Sequence, residues 1–343
     1  MTNLPWVRIA IVTFNSGEFT QACLKALAAQ TERGFEAVIV DNGSTDGAIE
    51  RLELPDDRFS LIKSPTNTGF AGGSNFGLAG AKTPYVMTLN PDSSLSPTCL
   101  TELLKGTENH PLVAMFSPVL FKSDTCEVLD GAGDSLSVFG LSWRNGTDTH
   151  SYESEADLSV PVEVFSPTGA AALYRRDQFE RAGGFDAKFF CYLEDIDLGM
   201  RLRATGQRCL LIPTATGVHI GGHSSDHIPG FALEQSAHNN LRLIVKSAPF
   251  FLMPIMLFCH IAAHVRYQSR NVGTPQASIR KKGFRKGLGN IPFFLKDRLL
   301  RKPYPLGASL RIAKIISWSI TEVKARRLKT RNLPVQKGPS QLY

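Results

Sequence analysis

The first 95 residues alternate between short, mostly apolar runs and segments with a helical spacing of apolar side chains. The runs are four to six residues long, which is typical of buried strands in a parallel sheet; they are Val7–Val12, Ala37–Val40, Phe59–Lys63 and Tyr85–Leu89. Between them, the spacing predicts helices over Glu18–Gln30 and Ser74–Ala81. Because such an alternation requires right-handed crossovers, the sequence predicts an α/β fold with a mostly parallel sheet.

The middle of the chain, residues 110–225, has shorter elements. Its pattern predicts one helix over Ile196–Ala204. Strand-like runs occur at Val113–Phe116, Ala171–Tyr174 and Cys209–Ile212. Residues 124–163 are rich in loop-forming residues, and no definite element is predicted for them.

The C-terminal hundred residues carry apolar segments of a different kind. Residues 247–265 contain no Asp, Glu, Lys or Arg, and their length permits a membrane span. Two prolines and two histidines in this stretch favour a shallow interfacial or re-entrant position in the membrane, or else a helix in the protein core. Of these alternatives, membrane contact is the preferred interpretation. Farther on, an apolar stripe bordered by basic residues predicts an amphipathic helix lying on anionic lipid; it comprises Ile312, Ile315, Ile316, Ser319, Ile320 and Val323.

Composition adds a charge asymmetry to this picture. With 43% hydrophobic and 20% charged residues, the 343-residue chain is an ordinary globular protein, which excludes wholesale disorder. Residues 241–343 hold 21 Lys and Arg but two acidic residues, whereas residues 1–240 hold 17 Lys and Arg and 29 Asp and Glu. We therefore expect a domain at 1–240 and a basic, partly apolar helical region at 241–343. The basic region should seek a polyanion, either nucleic acid or an anionic membrane surface.

The six cysteines form no CxxC pair. This usage predicts a reduced, cytoplasmic compartment rather than a disulfide framework or a zinc knuckle. The first apolar run, Val7–Val12, is too short for a secretory signal, and none is predicted.

Polar residues follow the predicted strands directly. Asp41, at the end of the second strand, could accept hydrogen bonds from a ribose or a base, and Asp92 could reach a divalent ion on a diphosphate. Both also fit the simpler role of turn-forming residues. The glycine-rich segment Asn67–Asn75 allows a close approach to a ligand in front of a helix N-terminus, but it matches neither the dinucleotide nor the P-loop motif.

Two further motifs carry titratable groups. Three carboxylates open the helix at Glu194–Asp197, where the helix dipole offsets part of their repulsion. One of them, held near an apolar wall, could take a proton from a hydroxyl group. His219 and His223 lie in a glycine-rich turn and could ligate a metal or contact a phosphate. An acidic helix start and ordinary loop histidines are the plainer alternatives.

In their order along residues 7–225, these motifs resemble those of glycosyltransferase family 2, the inverting enzymes of the GT-A fold. The subgroup that the chain resembles most is the rhamnosyltransferase-type enzymes of bacterial surface-polysaccharide assembly. The matching segments are Ile11–Asn15, Val40–Asp46, Asn67–Asn75, Leu89–Asp92, Thr168–Ala170, Glu194–Leu198 with Arg201, and His219 with Gly222 and Ser224. The resemblance implies a Rossmann-like GT-A domain at 1–240 and a membrane-associating extension at 241–343.

The resemblance also implies a donor site. Its nucleotide-sugar ligands would be Thr13, Asn15, Asp41, Asn67, Gly72, Asn75, Asn90 and Asp92. Asp92, Asn90 and His219 would hold Mg²⁺ or Mn²⁺, with His223 as a rival to His219. Asn90 stands where the family's DXD signature usually has its first Asp.

On the acceptor side, the resemblance implies that Asp195 is the general base, with Glu194 as the alternative. Thr168 and Gly169 would line the pocket for the acceptor and the sugar. The donor implied first is dTDP-rhamnose; galactofuranose and other hexoses stay open. The acceptor would be a glycan or a polyprenyl-diphosphate-linked sugar, reached by a peripheral enzyme at the cytoplasmic face of the membrane.

Three other classes compete with this interpretation. A sugar-1-phosphate nucleotidyltransferase would need a basic loop after the first strand, and residues 13–18 contain no basic side chain. A nucleic-acid-binding protein using the basic region would need interleaved aromatic platforms. These are few after residue 265, so no nucleic-acid partner is expected. A non-catalytic module is compatible with Asn90, but the retained Asp92, Glu194 and Asp195 argue against it.

Overall fold

The computed structural model of the protein describes residues 4–148, 160–221 and 228–318. In these ranges the strands are β1 Val7–Thr13, β2 Phe35–Asp41, β3 Phe59–Lys63, β4 Tyr85–Leu89, β5 Ser93–Leu95, β6 Met115–Phe121, β7 Leu129–Gly131, β8 Asp134–Leu136, β9 Ser142–Arg144, β10 Val162–Glu163, β11 Ala171–Arg175 and β12 Cys209–His219. The α-helices are α1 Gly17–Ala28, α2 Gly69–Leu78, α3 Cys99–Asn109, α4 Arg176–Ala182, α5 Glu194–Ala204, α6 Phe231–Arg242, α7 Met253–Arg270, α8 Pro275–Gly289, α9 Ile291–Leu299 and α10 Ala308–Ile315. Short 3₁₀ turns occur at Ile49–Arg51 and Ala187–Phe189, and a π-helical turn occurs at Leu243–Ser247.

The first four strands form the parallel half of the sheet. β1 pairs in parallel with β2 and with β4, and β2 pairs in parallel with β3. Ile9 and Ile39 are fully buried against Leu24 and other apolar side chains of the core. The four predicted strands are confirmed, with ends within two residues. Since β1, β2 and β4 run in the same direction, the residues that follow them meet at one edge.

Helix α2 begins earlier than predicted, at Gly69 rather than at Ser74. A Cβ atom at Gly73 would lie 2.6 Å from Cγ1 of Val12, and one at Gly77 would lie 2.9 Å from Cβ of Ala10. These glycines therefore let α2 pack closely on β1. The prediction of a start at Ser74 is wrong because glycine has a low intrinsic helix propensity, which packing against the sheet overrides here.

The second half of the sheet is mixed. β11 lies antiparallel between β4 and β6, whereas β6 and β12 are parallel. The strand order is β10-β12-β6-β11-β4-β1-β2-β3, with β5 attached to β12 and β7 to β6. The predicted mostly parallel sheet is thus right for β1 to β4 and for the β6–β12 pair, and wrong where β5, β7, β10 and β11 join the sheet antiparallel.

The C-terminal helices share a core with the rest of the molecule. The proposed boundary after residue 240 falls inside α6. Leu243 and Ile244, just beyond it, are fully buried in one cluster with Ile196 and Met200 of α5. The two-domain division stays a prediction, and the described residues on both sides of it are packed together.

The predicted amphipathic stripe faces inward as far as it is described. Ile312 and Ile316 are buried in the same cluster as Leu136 and Met200. The expectation that these two isoleucines lie on lipid is wrong, because the protein core already covers them. Ser319, Ile320 and Val323 lie outside the described residues.

Helix α7 and the turn before it present apolar side chains to solvent. Phe250, Phe251 and Phe258 are 70%, 67% and 74% exposed. The two histidines of this segment face the protein instead: Nδ1 of His260 lies 2.8 Å from a backbone carbonyl, and His264 stacks on a phenylalanine ring at 3.7 Å. None of the helices in the described ranges combines the length and the apolarity that crossing a bilayer requires.

Candidate active site

A cavity of about 630 Å³ opens at the edge of the sheet where β1, β2 and β4 end. Seven of the residues predicted for the site line it: Asn67, Asn90, Asp92, Gly169, Glu194, Asp195 and His219. They come from five separate parts of the chain, so the fold brings together side chains that are up to 152 residues apart. After the roles predicted for them, we call Asn90, Asp92 and His219 the metal side of the cavity, and Glu194 and Asp195 its base side.

The metal side is organised around His219, which is 3% exposed. Its Nε2 lies 3.2 Å from Nδ2 of Asn90 and 3.4 Å from Oδ1 of Asp92. On the other side of the ring, Nδ1 lies 2.7 Å from Oδ2 of Asp130. A carboxylate on one ring nitrogen fixes the tautomer and leaves the other nitrogen to face a ligand, as in carboxylate–histidine–metal arrangements.

Charge at this histidine depends on its two carboxylate neighbours. Burial alone would lower the pKa of His219, but the hydrogen bonds and negative charges of Asp130 and Asp92 outweigh it and raise that pKa. Nη1 of Arg144 lies 2.7 Å from the same oxygen of Asp130 and 3.3 Å from the imidazole. Arg144 therefore brings a positive charge to the cavity wall beside Asp92.

These residues fit a divalent cation that also binds a diphosphate. In the described ranges, no three His, Cys, Asp or Glu side chains are grouped as a complete metal site. Mg²⁺ and Mn²⁺ accept oxygen donors and imidazole, and Mg²⁺ is commonly held by one or two carboxylates plus substrate phosphates. Asp92 and His219 would thus suit an ion whose remaining ligands come from a bound phosphate group.

The base side is organised around Asp195. Its Oδ2 accepts a hydrogen bond from the backbone N–H of Gly169 at 2.9 Å, and its Oδ1 accepts one from Ile196 at 2.8 Å. Burial raises the pKa of Asp195, while these hydrogen bonds and the charge of Arg144 offset part of the rise. Asp195 is therefore an oriented carboxylate with increased basicity, as a general base requires.

The neighbouring acids have different surroundings. Oε2 of Glu194 is buried and has no hydrogen-bond partner among the described residues. Burial raises the pKa of Glu194 well above its usual range, and the charge of Asp195 adds to the rise. Asp197 is fully buried and paired with Arg201 and Lys246, at 2.7 and 3.2 Å. Asp197 thus anchors α5, and Asp195 and Glu194 are left as candidate bases.

The loop in front of α5 is strained. Phe190, Tyr192 and Leu193 all have φ values between 64° and 71°, where side chains with a Cβ rarely lie. Nδ2 of Asn239, on α6, lies within 2.9 Å of the carbonyl oxygens of Phe189, Cys191 and Tyr192. This buried amide holds the loop, and so it fixes where α5 begins and where Asp195 sits.

The opposite end of the cavity is formed by the turns after β2 and β3. Nδ2 of Asn42 donates to Oδ1 of Asn67 at 3.0 Å and to the carbonyl of Gly69 at 3.1 Å, while its Oδ1 accepts from the backbone of Thr68 at 3.0 Å. Asn42 thereby shapes the glycine-rich turn. Gly69 has a φ of +72°, and a Cβ there would lie 2.2 Å from the carbonyl oxygen of Phe190.

Six predicted site residues do not line this cavity. The Thr13 hydroxyl is buried and lies 2.8 Å from that of Thr20. Asp41 and Asn15 accept hydrogen bonds from the backbone N–H groups of Ser44 and Thr45, at 2.9 and 2.8 Å. Through its contact Asp41 forms a turn, which is the simpler of the two roles that the sequence allows for it.

The other three are Asn75, Gly72 and Thr168. The side-chain amide of Asn75 joins α2 to the backbone of Phe185: its Nδ2 donates to the Phe185 carbonyl at 2.7 Å, and its Oδ1 accepts from the Phe185 N–H at 3.0 Å. A Cβ at Gly72 would meet the side chain of Thr68 at 2.7 Å. The Thr168 hydroxyl is buried and has no partner among the described residues. Gly222, His223 and Ser224 lie outside the described residues.

Sequence reasoning missed four residues of the site: Asn42, Asp130, Arg144 and Asn239. Asn42 stands directly before Gly43 after β2, and Asp130 stands directly before Gly131 in β7. A polar residue next to a glycine near the end of a strand is the same signal that identified Asp41. Arg144 and Asn239 carry no local signal. Their roles depend on contacts with residues 14 to 75 positions away in the chain.

A cavity at the sheet edge that gathers an imidazole and several buried carboxylates is typical of an enzyme active site. The chain belongs to glycosyltransferase family 2: the family model described as "Glycosyl transferase family 2" matches residues 8–183. The predicted family and the predicted activity, sugar transfer, are thereby confirmed.

Two curated relatives match different shares of the chain. An N-acetylglucosaminyl-diphospho-decaprenol L-rhamnosyltransferase of Mycobacterium tuberculosis is 28% identical over 250 residues, which cover 67% of this chain and 80% of the relative. The rhamnosyltransferase WbbL of Escherichia coli is 28% identical over 167 residues, 46% of this chain and 62% of WbbL. The predicted resemblance to rhamnosyltransferases is confirmed.

Solved structures show the fold. The structure of GalNAc-T7 with UDP, GalNAc and Mn²⁺ superposes with a TM-score of 0.60 at 14% identity, covering 89% of this chain and 60% of that one. A mannosyltransferase of Pyrobaculum calidifontis in complex with GDP-Man and Mn²⁺ gives 0.52 at 17% identity, covering 91% and 87%. The predicted GT-A fold is confirmed, and both neighbouring structures hold a divalent metal.

Proposed function

We propose that the chain is an inverting transferase of cell-surface polysaccharide biosynthesis that moves rhamnose from dTDP-rhamnose to a glycan or a polyprenyl-diphosphate-linked acceptor. The observation that carries the proposal is the single cavity joining the Asp92–His219 pair to the oriented carboxylate of Asp195. The M. tuberculosis relative is an L-rhamnosyltransferase that acts on N-acetylglucosaminyl-diphospho-decaprenol, and this similarity supports the choice of sugar and acceptor.

The reaction is a single displacement at the anomeric carbon. Asp195 accepts the proton of the acceptor hydroxyl, and the acceptor oxygen forms a bond to the anomeric carbon as the bond to the diphosphate oxygen breaks. The electron pair of the broken bond leaves with the nucleoside diphosphate, and attack from the opposite face inverts the configuration. Positioning by Gly169 and Ile196, which hold both oxygens of Asp195, contributes by fixing the geometry of attack.

A Mg²⁺ or Mn²⁺ ion would be held by Asp92 and His219, with Asn90 beside them. Such an ion supplies Lewis-acid stabilisation of the charge that develops on the leaving diphosphate. The chain's own part is to orient His219 through Asp130 and to place the positive charge of Arg144 nearby. The nucleoside is accordingly proposed at the Asn42–Asn67 end, near Thr13 and Asp41.

The membrane is proposed as the surface on which the enzyme works, at its cytoplasmic face. Phe250, Phe251 and Phe258 are exposed on and just before α7. The region from 241 onward carries the positive excess of the chain. Exposed phenylalanines in a basic setting suit the interface of an anionic bilayer. This surface, rather than the buried Ile312–Ile316 stripe, is the part of the proposed membrane-associating region that the described residues support.

A panel of nucleotide-sugar donors tests the function. Purified protein is mixed with dTDP-, UDP- and GDP-sugars with and without MnCl₂, and donor cleavage is measured with a polyprenyl-diphosphate-linked N-acetylglucosamine acceptor. We expect metal-dependent, acceptor-dependent turnover of dTDP-rhamnose. Turnover of UDP-galactofuranose instead would change the proposed donor sugar but keep the glycosyltransferase activity. Turnover of no nucleotide sugar would contradict the proposal.

Vesicle sedimentation tests the membrane surface. With vesicles containing phosphatidylglycerol, Phe250→Ser/Phe258→Ser should bind at least about 10-fold more weakly than the parent, because each buried phenylalanine contributes roughly 1.5–3 kcal/mol. Phe76→Ser is the matched control, since Phe76 is 47% exposed but lies on α2. Equal binding of the double variant and the parent would contradict this surface.

A further inference from the structure

The hairpin of β8 and β9 is a two-stranded sheet of its own that closes one side of the cavity. Asp134 pairs with Arg144 in its register, and both line the cavity together with Trp143. The hairpin is held at both ends of β8. The backbone N–H of Asp134 donates to Ser166 at 2.8 Å, and Ser317 donates to the carbonyl of Leu136 at 2.9 Å. Its cavity-facing groups are therefore supported by two distant segments of the chain.

Two polar atoms of this hairpin are buried without a partner among the described residues. They are Oδ1 of Asp134, whose residue is 5% exposed, and Nε1 of Trp143. Their neighbours on the same strands are satisfied: the Ser135 hydroxyl donates to Asn145 at 2.7 Å, and Arg144 binds Asp130. A buried polar atom without a partner costs about 1–3 kcal/mol, and such atoms are rare in folded proteins. Because both residues line the cavity, a ligand bound close to them would supply the missing hydrogen-bond partners.

The surroundings decide the chemistry of that ligand. Burial raises the pKa of Asp134 well above its usual range, and the charge of Asp195 adds to the rise although Arg144 opposes it. A protonated carboxyl both donates and accepts hydrogen bonds, which matches a sugar hydroxyl and does not match a phosphate. An indole ring offers an apolar surface together with a single N–H donor, which suits a pyranose ring with its alternating C–H and O–H faces.

We propose that the β8–β9 hairpin is a sugar-recognition subsite, in which Asp134 and Trp143 bind the hydroxyl groups of a hexopyranose beside the base Asp195. The inference rests on the proposed function and deepens it, because it assigns the residues that distinguish one sugar from another. Asp134 and Trp143 act on the sugar ring itself, while the diphosphate is proposed beside Asp92 and His219 and the nucleoside at the Asn42–Asn67 end of the cavity.

The ring bound there belongs either to the donor or to the acceptor, and a titration separates the two. Binding of dTDP and of dTDP-rhamnose, each with MnCl₂, is measured by calorimetry on the parent, Asp134→Ala and Trp143→Phe. For a donor ring, Asp134→Ala binds dTDP within about twofold of the parent but dTDP-rhamnose at least 10-fold more weakly. For an acceptor ring, both affinities are unchanged and the KM for the acceptor rises at least 10-fold. If the donor panel selects another nucleotide sugar, that sugar and its nucleotide replace these probes.

Asp148→Asn is the matched control, because Asp148 is an exposed carboxylate that follows the same hairpin and pairs with Lys122 at the surface. It should leave the affinities for dTDP and dTDP-rhamnose and the KM for the acceptor unchanged. Trp143→Phe keeps an aromatic ring and removes the N–H, so it carries the test if Asp134→Ala fails to fold. We expect its affinity for dTDP-rhamnose to fall about threefold to 10-fold if the donor ring binds there, or its KM for the acceptor to rise by the same factor if the acceptor ring does. Affinities and KM within twofold of the parent in both variants would overturn the subsite. Binding of no nucleotide sugar by the parent would instead overturn the proposed function.

Discussion

The two ends of the cavity are built in different ways. At the nucleoside end, short turns after β2 and β3 hold themselves in place, as the hydrogen bonds of Asn42 to Asn67 and Gly69 show. At the sugar end, the wall consists of the β8–β9 hairpin and the strained loop before α5, and both depend on distant segments. Asn239 fixes the loop from α6, and Ser317 supports the hairpin from beyond α10. The nucleoside end is therefore local and the sugar end depends on the whole fold.

This difference implies that a substitution at the sugar end can change transfer without changing nucleotide binding. The predictions below test this separation, beginning with the largest effect.

Replacement of the base should nearly abolish transfer. We expect Asp195→Asn to lower kcat by about 10³-fold or more, in line with the 10²–10⁴-fold contribution of general bases, since the amide cannot take the acceptor proton. Binding of dTDP with Mn²⁺ should be unchanged, as calorimetry can show. Glu194→Gln serves as the comparison: a larger loss in that variant than in Asp195→Asn would assign the base to Glu194.

Removal of the carboxylate behind His219 should weaken the metal side. Asp130→Asn keeps the shape but cannot hold the imidazole N–H as strongly, so the affinity for Mn²⁺ in the presence of dTDP should fall about 10- to 100-fold. Electron paramagnetic resonance of free Mn²⁺ measures this directly. Unchanged affinity would mean that Asp130 does not orient the histidine. Asp56→Asn, a carboxylate paired with Arg58 on the far side of the sheet, is the control.

A methyl group at residue 169 should displace the base. A Cβ there would lie 3.1 Å from Oδ2 of Asp195, so Gly169→Ala should shift the carboxylate and reduce kcat about 10-fold, while the nucleoside end is untouched. Gly289→Ala is the control, because a Cβ at that position would lie in open space. Gly80→Ala is less suitable, because the φ of +69° at Gly80 would itself strain an alanine. Wild-type kcat for Gly169→Ala would show that transfer does not depend on the exact position of the Asp195 carboxylate beside residue 169.

The smallest effect concerns pH. Burial raises the pKa of Asp195 above its ordinary value, which is about 3.9 for an unperturbed Asp. The base is active when deprotonated, so kcat should fall as the pH drops through this raised pKa, above the ordinary Asp range. Binding of dTDP alone should not follow the same curve. A kcat that stays constant to below pH 4 would contradict a buried base.

Sequence reasoning identified residues that the fold brings together beside His219 and Asp195, but it named none of the β8–β9 hairpin, and the reason is physical. Short apolar strands, the polar residues after them and the acidic start of α5 are local patterns, so Asp92, Asp195 and His219 could be identified before their positions were known. Arg144 and Asp134 belong to a segment with no definite pattern, and their importance arises from pairing across the hairpin. The inward stripe at Ile312 and Ile316 shows the same limit, because amphipathicity alone does not say which surface covers the apolar side.

The central claim is that residues 92, 130, 195 and 219 surround one bound metal–nucleotide complex. Affinity cleavage tests it most directly: Fe²⁺ replaces Mn²⁺ in the presence of dTDP, and ascorbate with hydrogen peroxide generates radicals that cut the backbone close to the ion. We predict nucleotide-dependent cuts near residues 92, 130 and 219, with a weaker cut near 195, that disappear together in Asp92→Ala. Cuts confined to one of these segments, or cuts that do not depend on dTDP, would contradict the account.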